Sequence, residues 1–150
     1  MKIERGRAVG KTIAKAMVEV LSASPGEVVS RMDSCRDNLL ETAEDDEERD
    51  EIRRRIAEAK LSILWESRDT SRFMAVWQEM ERLGYTSAER EASMLFYILE
   101  FCARDGRDDV SCKDFLDRLE RLVTDMPAAA RSHFESVYQK MREKLSANAA

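Results

Sequence analysis

Two prolines, five glycines and one histidine in 150 residues leave little material for turns, and little for the metal and proton-transfer chemistry that imidazole commonly serves. Sheets rich in tight turns are therefore disfavoured. Aromatic residues make up only 7%, and no apolar run reaches the ~18–20 residues of a membrane span. The N-terminus has basic residues but no continuous apolar stretch behind them, so neither a transmembrane helix nor a signal peptide is expected and the protein is placed in the cytoplasm. The three cysteines, Cys35, Cys102 and Cys112, are odd in number and irregular in spacing. Each falls on or beside an apolar helix position, which reads as reduced thiols acting as small hydrophobes.

What the chain has in quantity is charge, at 37%, interleaved with 43% apolar residues. That balance favours amphipathic helices with solvated faces. The expectation is an all-α fold, a bundle of about five to six helices in a single domain over residues 1–150. At this length about 68–70% of the unfolded surface can be buried. Residues 1–22 form a basic, semi-independent N-terminal helix, and residues 146–150 a frayed tail.

The stretch from Thr86 to Arg104 is apolar around most of a helix. At 100° per residue, Phe101, Met94, Ile98, Cys102, Leu95, Leu99, Ala92, Ala103 and Phe96 fill an arc of roughly 220°, against the ~100° stripe of a surface helix. It should be the most buried element. Thr86 with Glu89 has capping-box spacing, and Glu91, inside the apolar arc, sits in the first turn where a carboxylate reaches water and favours the helix dipole.

In chain order, Val9, Ile13, Ala16, Met17, Val20 and Leu21 follow helical spacing with Lys11 and Lys15 opposite. Gly6 to Thr12 (GRAVGKT) falls one residue short of a phosphate-binding loop and has no strand before it. Ser24, Pro25 and Glu27 start a second helix with the stripe Val28, Met32, Cys35 and Leu39. Eight acids between Glu41 and Glu51 read as a solvated joint and a helix start. A third helix over about Glu47 to Arg68 carries Ile52, Ile56, Ala59 and Ile63, with Leu61 and Trp65 off that line. Asp69 to Ser71 cap a fourth, bearing Phe73, Val76, Trp77 and Met80 and stopped by Gly84, where Tyr85 folds back over a left-handed cap. Ser111 starts a helix with Phe115, Leu119 and Val123. Pro127 opens the last, with Phe134, Tyr138 and Met141. A 42-residue shift superposes the Phe73–Ala103 pattern on Phe115–Leu145, which as a true repeat would make stacked helical hairpins, a short solenoid.

Chemistry is scarce. His133 has no Cys or acidic partner at metal-ligand spacing, and the acidic turn at Asp105 to Val110 lacks the calcium-loop positions. A nucleophile built from Cys102 or Cys112 with His133 is left open, because such partners meet only in space. No catalytic, cofactor or metal residues are assigned. The chain reads as a non-enzymatic helical protein-interaction module, an adaptor, regulator or chaperone-like subunit that self-associates or joins a complex. The candidate partner-binding residues are Leu61, Trp65, Tyr97, Lys11 and Lys15. The alternative is a nucleic-acid-associated protein using residues 1–15, where five bases face one acid and leave a net +4 against −9 in the remainder.

Overall fold

The computed structural model describes residues 3–85, 87–105 and 110–149. Among these, every regular element is an α-helix: α1 (Ile3–Glu19), α2 (Pro25–Glu41), α3 (Asp46–Glu66), α4 (Thr70–Leu83), α5 (Ala88–Asp105), α6 (Val110–Asp125) and α7 (Ala128–Ala149). The all-α expectation is met with seven helices rather than five to six. The final helix runs on to Ala149, into the segment expected to fray.

Local chemistry sets most of the boundaries. Ser24 accepts from the Glu27 amide at 3.3 Å, with Pro25 in the first helical position of α2. Asp45 accepts from the Glu48 amide at 2.7 Å as N-cap, while the Glu48 carboxylate takes the amide of Glu44, just before the cap, at 2.8 Å, so part of the acidic run closes the start of α3. Asp69 caps α4 through the Arg72 amide. At the start of α5 the Ser87 hydroxyl accepts from the Arg90 amide at 3.2 Å. Thr86, the cap expected there, lies outside the described residues, as do residues 106–109 of the acidic turn.

α3 ends by a route that sequence reasoning missed. The Asp69 amide reaches back to the Leu64 carbonyl and the Arg68 amide to that of Trp65, with Arg68 at φ 59°. This is the double bond of a Schellman stop, with arginine where glycine is usual. A side chain in that conformation costs about 1–2 kcal/mol, partly offset in a glycine variant by its freer unfolded chain. Arg68 is exposed, so Arg68→Gly should raise stability by about 0.5–1 kcal/mol, seen as a higher urea midpoint at unchanged slope. An unchanged or lower midpoint would refute the assignment of strain to this residue. Gly84 at φ 80° and ψ 163° closes α4 outside the left-handed helical region expected for it, and Arg54 donates to the Gly84 and Leu83 carbonyls.

The helices group into two compact units, Met1–Gly84 and Tyr85–Ala150, where the sequence suggests one domain. In the first, α3 packs against α1, α2 and α4. It buries Ile52, Ile56, Ala57, Leu61, Ile63 and Leu64, together with two charged residues, Glu48 and Lys60. Lys60 donates to Asp33 on α2 at 2.6 Å, which allows its burial. In the second unit α5, α6 and α7 pack pairwise around Ala92, Leu95, Leu99, Leu119, Val123, Met126, Tyr138 and Met141. Glu91 turns out to pair with Arg118 of α6 at 2.9 Å, and Lys144 of α7 with Glu100 at 2.8 Å. α5 is thus one of two organising helices, one in each unit. The boundary falls between α4 and α5, so the α4–α5 half of the 42-residue correspondence straddles it while α6–α7 lies inside one unit.

Candidate interaction surface

α1 is fixed along the first unit. Val9 and Ala16 are buried, and Ile13 and Val20 are half-buried beside them. Arg5 forms an ion pair with the buried Glu48 at 3.2 Å and bonds the Thr42 hydroxyl. Arg55 of α3 donates to the Gly6 carbonyl at 3.2 Å. The helix set apart in the sequence as semi-independent is therefore tied to α2 and α3. GRAVGKT lies inside it as helix, with no strand nearby among the described residues.

The other side of α1 is unusual. All the exposed large hydrophobic residues among those described belong to it or to the turn that follows: Ile3 at 75% exposure, Met17 at 44%, Val18 at 66% and Leu21 at 88%. At 100° per residue, Val18 stands about 180° around the helix from buried Val9 and Ile3 about 120° from it, while Leu21 follows in the turn beyond the last helical residue. Ala14, also exposed, falls between Ile3 and Val18. Arg7, Lys11 and Lys15, one helical turn apart, run diagonally from within this stripe, where Arg7 sits between Ala14 and Val18, to its edge at Lys11 and Lys15. All three are exposed, and none enters an ion pair among the described residues.

Beyond Lys11 and Lys15 the surface dips into a groove of about 450 Å³ between α1 and α2. Its floor includes Ala16 and Met32, both buried, and its far wall includes Cys35, an exposed free thiol. At one end Glu19 is neutralised by Arg31 at 3.0 Å. The uncompensated charge at the rim is therefore positive.

Of the candidate residues from the sequence, only Lys11 and Lys15 meet here. Leu61 is fully buried in the α3 core, so it has no surface to offer a partner. The reason is that α3 is enclosed on several sides, and a residue off the main stripe simply faces a different neighbour. Trp65 is half-buried with its indole nitrogen enclosed, and Tyr97 is half-buried on α5. Ile3 and Val18 were missed altogether. Met17 and Leu21 were counted with the buried stripe because they lie at i+4 and i+8 from Ile13, although Met17 drifts about 80° from Val9 and Leu21 falls beyond the end of the helix.

Cys102 and Cys112 are joined by a disulfide between α5 and α6, closing a separation of 10 residues, which overturns the reading of these two as reduced thiols. The bond joins the end of one helix to the start of the next, a proximity no spacing rule reveals. With both sulfurs in the bond, neither is a thiolate for His133, which is exposed and set edge-on to Phe134 at 5.3 Å. A smaller depression of about 360 Å³ between α6 and α7 has a mixed polar and apolar lining that includes Tyr138, Glu120 and Glu135. Burial holds the Tyr138 hydroxyl above the usual tyrosine range, and the Glu120 carboxylate adds to this while Arg142 opposes it. No cluster of three or more His, Cys, Asp or Glu side chains is placed to hold a metal ion among the described residues. Among them, too, no helix is long and apolar enough to cross a membrane.

Comparison with protein-family models, with curated proteins and with solved structures finds no match.

Proposed function

We propose that this chain is a non-catalytic helical protein-interaction module, an adaptor, regulator or chaperone-like subunit of a complex, and that α1 is its docking element. One observation carries the reading: the exposed large hydrophobic residues among those described are gathered on a single helix and its following turn. Scattered apolar residues are ordinary on a protein surface, whereas a contiguous set marks a binding site. Covering a side chain such as Leu21, Val18 or Met17 contributes about 1.5–3 kcal/mol each. The opposite face of α1 is already anchored, so a partner would meet a pre-formed surface and spend little on ordering it.

Val18→Glu with Leu21→Glu tests the reading, because both side chains are exposed and the core is untouched. The expected outcome is an unchanged helix content and thermal midpoint, with loss of the proteins that immobilised wild type retains from cell extract and of any self-association in sedimentation. Identical retention by wild type and variant would remove α1 from the interface.

A further inference from the structure

The chemistry around α1 says what kind of partner it fits, an inference that rests on the docking role proposed above. We propose that the α1 surface and the α1–α2 groove receive an acidic amphipathic helix of another protein. Its apolar stripe would lie on Ala14, Val18 and Leu21, its carboxylates would meet Lys11 and Lys15, and one long apolar side chain would enter the groove over Ala16 and Met32.

Three features select this occupant. The first is charge. Arg5, the remaining described base of the arm, is consumed by Glu48, but Arg7 within the apolar stripe and Lys11 and Lys15 along its edge enter no ion pair among the described residues. Apolar contact fixes affinity there while opposite charge fixes orientation and speeds encounter. The second is spacing. Lys11 and Lys15 are four residues apart on a helix, about 6 Å between side-chain bases, which matches two carboxylates at i and i+4 on a facing helix. The third is shape. A groove of about 450 Å³ with an apolar floor offers room for a protruding side chain, which a flat bilayer does not supply.

The same features argue against a second copy. Two α1 helices face to face would oppose their own cations. The most acidic stretch of the chain, Glu41 to Glu51, contains Ala43 as its only apolar residue and has nothing to cover Val18 and Leu21. Nucleic acid would satisfy the cations, but neither α1 nor α2 contains an aromatic residue on which a base could stack.

The test uses the full chain and four probes in fluorescence anisotropy at low and moderate salt. The first is an 18-residue synthetic helix with a leucine stripe flanked by glutamates at i and i+4. The second is a scrambled peptide of the same composition, the third is the leucine-stripe peptide with lysines replacing the glutamates, and the fourth is a single-stranded oligonucleotide. Vesicles containing phosphatidylserine are assayed in parallel by co-sedimentation.

The acidic amphipathic helix should bind at least tenfold more tightly than the scrambled peptide. Lys11→Glu with Lys15→Glu should weaken it at least tenfold without altering the circular dichroism spectrum, and should gain affinity for the lysine peptide. Equal binding of ordered and scrambled peptides, an unaffected Lys11→Glu/Lys15→Glu variant, or stronger binding to oligonucleotide or vesicles would each overturn the proposal. So would a dimer that Val18→Glu with Leu21→Glu dissolves. If the acidic helix fails to bind while that variant still loses its partners from extract, the docking role of α1 stands and the acidic helix alone is rejected.

Discussion

Leu95→Ala should lower the unfolding free energy of the second unit by about 2–5 kcal/mol, the range for truncating a fully enclosed leucine. Leu95 has no solvent exposure and belongs to the cluster of Ala92, Leu99, Leu119, Val123 and Met126. A unit of this size has roughly 3–10 kcal/mol in total, so the change would remove a large part of it. The readout must be chosen with care. The chain's two tryptophans, Trp65 and Trp77, lie on α3 and α4 in the first unit, so their emission follows that unit. Loss in the second unit should appear in amide exchange of α5 to α7 and in far-ultraviolet circular dichroism against urea. A measured cost below 1 kcal/mol would contradict the role of α5 as an organising helix.

Reduction of the Cys102–Cys112 bond should cost the same unit about 3 kcal/mol. The loop it closes spans 10 residues, and freeing a loop of that length returns entropy of this order to the unfolded chain. Cys112→Ser should reproduce the loss without reductant. Cys35→Ser should not, since Cys35 is exposed and unbonded. Thiol counting under denaturing, non-reducing conditions is the direct check: one reactive thiol is expected, rising to three after reduction. Three thiols at the outset would show that the bond does not form.

Helix existence was readable wherever a stripe was narrow and its ends carried local chemistry, as at Ser24-Pro25 and along Phe73, Val76, Trp77 and Met80. These signals depend on neighbours within a few residues. The centrality of α3 was not readable in the same way. Its enclosed positions include Glu48 and Lys60, which look like solvated charge until Arg5 and Asp33 are brought beside them from other helices. Leu61, off the main stripe, then looked like a surface anchor when it was core. The α3 stop was hidden because Arg68 adopts a conformation normally signalled by glycine. At the candidate surface the excess of cations was plain from composition. Which of them stay unpaired was not, since Arg5 and Lys11 differ only in what the fold places opposite them. The disulfide lay beyond spacing arguments for the same reason.

The burial of Lys60 gives the first unit a built-in clock. Its amine is enclosed and bonded to Asp33, while Lys11 and Lys15 stand in water on the same unit. An amine-acylating reagent should mark Lys11 and Lys15 directly from solvent and reach Lys60 only when α2 parts from α3. The ratio of the two rates, read peptide by peptide in a mass spectrometer, counts how often this helix pair opens in the folded protein.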